Sequence, residues 1–105
     1  MEKPNLNYIN QLSGDSKVFK QKMIAILQRE LPAEVEAYYS FINAGNLIQA
    51  AQLVHKIKHK VSILGLEKSY YIASEYEKHL NNNSLILKDD FEAILSIMDQ
   101  FVKLL

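Results

Sequence analysis

The sequence predicts an all-α protein, an antiparallel up-down four-helix bundle with a short extra N-terminal helix. Apolar residues recur with a period near 3.6 between segments that are rich in turn-forming residues. Only three Gly and two Pro occur in 105 residues, which leaves little turn chemistry for a multi-stranded sheet. The chain is about two-thirds as long as a typical domain, so we expect one domain over residues 1–105.

Turn-rich segments at 13–15, 43–46 and 81–84 separate the predicted helices. The short first helix is expected around Leu6, Tyr8, Ile9 and Leu12. The apolar stripe of the next helix comprises Phe19, Met23, Ile26, Leu27, Leu31, Val35, Tyr38 and Ile42. This stripe continues past Pro32, where proline chemistry predicts a kink or a short break near Leu31.

The remaining three stripes have the same helical spacing. One comprises Leu47, Ala50, Leu53, Val54, Ile57, Val61 and Leu64. The next comprises Leu66, Ser69, Ile72, Ala73, Tyr76 and Leu80. The last comprises Phe91, Ile94, Leu95, Met98, Phe101, Val102 and Leu105, and it follows Asp89 and Asp90, whose charge suits the first turn of a helix.

The charge balance argues against several classes of protein. Twelve basic residues offset twelve acidic ones, which argues against a general binder of nucleic acid or of anionic membranes. The chain has no Cys, so disulfides and thiolate sites are excluded. No apolar run is long enough for a membrane span and no signal-peptide pattern opens the chain. We therefore expect a free-standing, monomeric cytoplasmic protein.

The outer face of the third predicted helix carries the candidate site. His55 lies opposite Leu64 on the helical circle, so it points away from the core stripe. The residues expected to share its side and to form a partner-binding surface are Ile48, Ala51, Gln52 and Ser62. Lys58 and His59 share the same side, one turn beyond His55.

No acidic residue occurs between Glu36 and Glu67. The neutral imidazole of His55 is a suitable nucleophile near neutral pH, and a phosphoryl group on it needs a nearby cation and no nearby carboxylate. We expect both conditions to hold, with Lys58 as the cation and Lys60 on the flank, its stem packed along the surface. A solvated basic helix face with an ordinary surface histidine is the simpler alternative.

The segment from His55 to Gly65 resembles the signature of histidine-containing phosphotransfer (HPt) domains. That signature is His-x-Leu-Lys-Gly, five variable residues and Gly, and His55, Lys58 and Gly65 match it in place, with Ile57 as a conservative exchange. Upstream, Ser13-Gly14-Asp15 and the stripe from Phe19 are similar to the start of the family's long second helix. Tyr76-Glu77 stands where the family has Leu-Glu, so the similarity covers nearly the whole chain.

The resemblance implies a phosphocarrier in a phosphorelay rather than an enzyme. His55 would accept a phosphoryl group from an aspartyl phosphate on one receiver domain and pass it to another. Lys58 would neutralise the phosphoryl oxygens, and Gly65 would end the third helix. The implied partners are response-regulator receiver domains and a hybrid sensor histidine kinase. The protein itself would need no cofactor, because the receiver holds the magnesium ion.

The chain departs from the signature at His59, where the family has Gly. The imidazole partly fills the space that a phosphoryl group and a receiver would use. We expect it to lean aside and donate a hydrogen bond to a phosphoryl oxygen, although it could instead hinder docking. In that case the protein would be a non-catalytic scaffold that binds a receiver or a partner helix.

Two further readings of the residues are weaker. His55 and His59 have the i, i+4 spacing of a zinc site, but lysines surround them and His79 lies on another helix, so we expect no metal. Glu75 and Glu77 fit a solvated helix face better than acid–base work.

Overall fold

The structure, a computed structural model, describes residues 2–105, and all of its regular elements are helices. The five helices are α1 (Asn7–Ser13), α2 (Lys17–Asn43), α3 (Leu47–Ile63), α4 (Glu67–Asn81) and α5 (Lys88–Lys103). No strand occurs in residues 2–105, which confirms the all-α class. Among these helices there is none with the length and apolar character needed to cross a membrane.

The helix ends follow local capping chemistry. The Ser16 hydroxyl accepts a hydrogen bond from the backbone N–H of Phe19 at 3.1 Å, and the Asn46 side chain accepts one from Gln49 at 3.3 Å. These side chains satisfy N–H groups that the first turn of a helix leaves free. The predicted divisions of the chain at 13–15, 43–46 and 81–84 are thereby confirmed as helix boundaries.

Helix α2 continues through Pro32, so of the expected kink or short break near Leu31 the break does not occur. Proline cannot donate to the carbonyl group four residues earlier, yet the flanking turns are held by packing of Leu31 and Tyr38, both fully buried. Tertiary burial therefore outweighs the local preference.

The predicted stripes of α3 and α4 form the centre of the core, but the stripe of α2 is wrong at two positions. Phe19 and Ile26 are 44% and 42% exposed. A helix of 27 residues is about 40 Å long and one of 17 residues about 25 Å, so the first turn of α2, with Phe19, extends past the end of α3. Ile26 lies beside Ile63 at that end, in a surface cleft. Apolar spacing identifies the side that faces inward, but it does not show how far the neighbouring helix reaches.

Packing places α3 between two neighbours. Helix α3 packs against both α2 and α4, and α5 packs against the same two helices, while α1 covers part of α2. The buried aromatic rings of Tyr38, Tyr76 and Phe91 meet in edge-on and tilted contacts where α2, α4 and α5 come together. This arrangement leaves one side of α3 exposed between α2 and α4.

Gly65 makes the turn between α3 and α4. Its φ angle is +76°, in the left-handed region that favours glycine. A Cβ atom at this position would lie 2.6 Å from the side-chain amide nitrogen of Asn5, so the Asn5 side chain would have to shift. The backbone N–H of Asn5 donates to the carbonyl oxygen of Leu64 at 2.9 Å, which fastens that segment to the turn.

Candidate functional site

His55 lies in the middle of α3, on the side that faces away from the core. Its side chain is 55% exposed, whereas Val54 and Ile57 on either side of it are fully buried. The prediction of an open imidazole is confirmed. The exposure follows from helical spacing, because the residues that α3 buries lie on the other side of the helix.

The Glu77 carboxylate from α4 lies directly beside the His55 ring. Its oxygens are 3.1 and 3.4 Å from Nδ1 of His55, and the Glu77 side chain is only 21% exposed. The expectation that no carboxylate would approach His55 is therefore wrong, as is the assignment of Glu77 to a solvated face. The gap in acidic residues is real along α3, but the neighbouring helix supplies the missing charge.

The same carboxylate binds Lys58. The Lys58 amine lies 3.0 Å from Oε1 of Glu77 and 5.6 Å from the centre of the Tyr70 ring. Its side chain is 14% exposed, much less than that of His55. Lys58 therefore stands one turn from His55, as predicted, but its charge is already shared with Glu77.

These contacts indicate which nitrogen of the His55 ring donates a hydrogen. A carboxylate without a proton can only accept, so the hydrogen bond to Glu77 requires that Nδ1 of His55 carries a hydrogen. In the neutral ring, this leaves the lone pair on Nε2, the other ring nitrogen. His55 thus has one nitrogen held by α4 and a second that is available as a nucleophile.

His59 lies next to the His55 ring on its α2 side. The two ring centroids are 5.2 Å apart and the ring planes are at 88°, an edge-to-face arrangement. His59 also borders a cleft of about 140 Å³ between α2 and α3, whose apolar lining includes Met23, Ile26 and Ile63. The structure therefore places His59 against His55, as the one-turn spacing predicted.

The four residues of the predicted partner-binding surface do not all lie on it. Ile48 is 53% exposed, and Gln52 and Ser62 are exposed as well. Ala51 is 2% exposed, so its predicted place on the outer surface is wrong. Ala51 lines a surface concavity together with Asn81, so the end of α4 lies close to α3 at this level. The methyl side chain of Ala51 is too short to emerge from this concavity.

Lys60 is held by α2 and does not extend along the surface. Its amine lies 3.1 Å from a carboxylate oxygen of Glu30 and 3.1 Å from one of Glu34. The Lys60 side chain is 11% exposed. The predicted role of Lys60 as a flanking surface lysine is therefore wrong, because acidic residues on α2 supply its partners.

Sequence reasoning missed the participation of Glu77, although one signal was present. The similarity of Tyr76-Glu77 to the Leu-Glu of HPt domains pointed to this position, but the helical pattern of α4 alone placed it on the polar side.

Within residues 2–105, no group of three His, Asp or Glu side chains has the geometry to hold a metal ion. Comparisons of the chain with protein-family models, curated proteins and solved structures each gave no match.

Proposed function

We propose that this protein is a histidine phosphocarrier of the HPt type, with His55 as the phosphoryl acceptor. The observation that carries the proposal is the contact of Glu77 with Nδ1 of His55, which leaves Nε2 as the free nucleophile on an exposed ring. The order of the residues along α3 supports it, because Lys58 follows one turn later and shares the carboxylate.

In the transfer step, no proton has to leave the nitrogen atom that reacts. The Nε2 lone pair attacks the phosphorus of an aspartyl phosphate on a receiver domain, the N–P bond forms, and the P–O bond to the aspartate breaks. The products are a free aspartate and a phosphorylated imidazole that still carries its hydrogen on Nδ1. The ring gains positive charge in this step, and the Glu77 carboxylate stabilises it as the buried carboxylate of a catalytic triad stabilises an imidazolium.

The Lys58 amine is suited to the negative charge that arrives on His55. Hydrogen bonds from an ammonium group to phosphoryl oxygens are among the stronger ones in proteins. The amine has to divide its donors between Glu77 and the phosphoryl group, and a Lys ammonium has three of them. The receiver would supply the magnesium ion and the acidic pocket, so this chain would act as a carrier with no cofactor of its own.

The fold that we propose for this role is an antiparallel up-down four-helix bundle, α2 to α5, with α1 at one end. Two contacts between α3 and α4 favour an antiparallel arrangement of these helices. On α3 and α4, His55 meets the later residue Glu77, and Lys58 meets the earlier residue Tyr70. Receiver docking would use the exposed residues Ile48, Gln52 and Ser62 around His55, with a monomeric carrier in the cytoplasm between a hybrid kinase and its regulator.

The test is phosphoryl transfer from a receiver. The protein is incubated with a phosphorylated receiver domain and magnesium, and acid-labile, base-stable label is mapped by mass spectrometry. We expect label on His55, none in His55→Gln, and normal labelling in His79→Gln, which changes a histidine on another helix. Label that persists in His55→Gln would contradict the assignment, and binding of receivers without label would favour the scaffold.

A further inference from the structure

We infer that His59 stabilises the phosphorylated form of His55 by donating a hydrogen bond to a phosphoryl oxygen; this inference rests on the proposed function. The two imidazoles are in edge-to-face contact, with centroids 5.2 Å apart, and both side chains are exposed. A donor one helical turn from Nε2 lies where the phosphoryl oxygens would project. His59 would then set how long the carrier holds its phosphoryl group.

Two of the lysines on α3, Lys58 and Lys60, are less free to serve the phosphoryl group, whereas Lys56 is exposed. Lys58 is 3.0 Å from Glu77, and its amine is largely covered. Lys60 is bound by two carboxylates of α2 at the base of the helix. In the part of the chain that the structure describes, His59 takes part in no ion pair, unlike these two lysines. Its N–H groups can therefore turn to a new anion without breaking a salt bridge.

The carboxylates around the two histidines are already bound to other groups. From α2, Glu30 borders the same cleft as His59, but its carboxylate is bound to Lys60. From α4, the Glu77 carboxylate is bound to His55 and Lys58. A phosphoryl group on His55 would therefore meet the N–H groups of His59 without having to displace a carboxylate from that ring.

The inference can be tested with a small phosphoryl donor and without a receiver. With phosphoramidate, Nε2 of His55 attacks phosphorus, the N–P bond to the protein forms, the original P–N bond breaks and ammonia leaves. The proton stays on Nδ1. The half-life of the label on His55 is then measured by phosphorus NMR, and its position is mapped by mass spectrometry, at one fixed pH for all variants.

Four proteins suffice: wild type, His59→Ala, His59→Lys and the control His79→Gln. We expect His59→Ala to shorten the half-life by roughly threefold to tenfold, the effect of one exposed charge-assisted hydrogen bond. His59→Lys supplies a hydrogen-bond donor at the same position, so it should keep a long half-life. All phosphohistidines hydrolyse faster in acid, so each variant is compared with wild type at the same pH.

Several outcomes would overturn the inference. A half-life in His59→Ala equal to or longer than that of wild type would mean that the ring only obstructs the site. Label on His59 instead of His55, or no label at all, would contradict the assignment of Nε2 as the free nitrogen. Failure of the proposed function would give a different result. Phosphoramidate would still label His55, with the expected dependence on His59, but no receiver domain would exchange phosphoryl groups with the protein.

Discussion

The Lys58 amine and the Glu77 carboxylate form an ion pair of 3.0 Å that joins α3 to α4 directly beside His55. A phosphoryl group on His55 would have to compete with Glu77 for this amine. Because the amine is shared, its contribution to the phosphorylated state should be moderate. This ion pair therefore determines how strongly the rate of phosphoryl transfer to His55 depends on Lys58.

Lys58→Ala should slow phosphoryl transfer to His55 by roughly threefold to tenfold without abolishing it, because one shared charge-assisted contact is lost. The measurement is the initial rate of label transfer from a phosphorylated receiver. Lys56→Ala is the matched control, since it removes an exposed lysine of the same helix that faces the solvent. Equal losses in both variants would indicate general electrostatic attraction to the partner instead of a local role.

Glu77 should determine which nitrogen of His55 carries the hydrogen. Glu77→Gln retains an oxygen that accepts from Nδ1, so the Nδ1–H tautomer should remain dominant in this variant. Glu77→Ala removes the acceptor, and the preference should be lost. Nitrogen NMR of the His55 ring at a pH where it is neutral distinguishes the tautomers. An unchanged tautomer in Glu77→Ala would show that the carboxylate does not set it.

The sequence predicted the elements of the fold well, because each buried stripe has helical spacing and the starts of α2 and α3 carry capping residues. Ser16 and Asn46 act locally, so their neighbours in the chain suffice to identify them. Phe19 was misplaced because its exposure depends on how far α3 extends, and Ile26 because it lies at the edge of the contact between α2 and α3. Both are tertiary properties and do not appear in the period of one segment.

The candidate site was predicted only in part, because several of its contacts also depend on how the helices pack. The outward direction of His55 follows from the period of α3 alone. The partner of its Nδ1 atom comes from Glu77, which is 22 residues away in the chain and reaches His55 only when α3 and α4 pack. The burial of Lys60 likewise depends on Glu30 and Glu34, which belong to α2. Charge counted along one helix could not show these contacts.

Tyr38→Phe should lower the free energy of unfolding by about 1–2 kcal/mol, because it removes two hydrogen bonds and leaves the buried hydroxyl of Tyr76 without this partner. The Tyr38 hydroxyl is 2.6 Å from that of Tyr76 and 3.0 Å from Glu92. Urea unfolding measures the change, with Tyr71→Phe as the control because Tyr71 is 70% exposed. A loss in Tyr71→Phe as large as in Tyr38→Phe would contradict the argument.

The same tyrosine pair predicts a loss of stability in alkali. Burial raises the pKa of Tyr38 and of Tyr76 above the ordinary value of 10.0. A buried acid with a raised pKa contributes stability below its unfolded value, and this contribution is lost as the pH rises further. Urea unfolding should therefore show a decline above about pH 10 that is smaller in Tyr38→Phe.

Lys60→Ala should destabilise the protein by about 1–3 kcal/mol, below the range for fully buried pairs because Glu30 is partly exposed. The variant would leave Glu34 largely buried without its cation, and one oxygen of that carboxylate already has no hydrogen-bond partner. Thermal unfolding of Lys60→Ala is compared with that of Lys78→Ala, whose lysine is 70% exposed. Similar melting temperatures in the two variants would exclude a structural role for the cluster.

Glu2 should stabilise the start of α4 in a way that depends on pH. Its carboxylate accepts hydrogen bonds from the backbone N–H groups of Lys68 and Ser69, both at 2.8 Å, and from the Ser69 hydroxyl at 3.0 Å. Burial alone would raise the pKa of Glu2, but these hydrogen bonds hold it below the ordinary value of 4.5. The carboxylate thus caps a helix whose own N-cap residue, Leu66, supplies no side-chain acceptor.

A depressed pKa means that the stabilisation is complete above about pH 4.5 and is lost as the pH falls through the lower, folded value. Glu2→Gln should therefore melt about 2–5 °C below wild type at neutral pH, and the two curves should converge in acid. Glu36→Gln, which changes an exposed carboxylate of α2, should melt like wild type throughout. A constant difference between wild type and Glu2→Gln down to the most acidic pH would mean that the charge of Glu2 does not contribute.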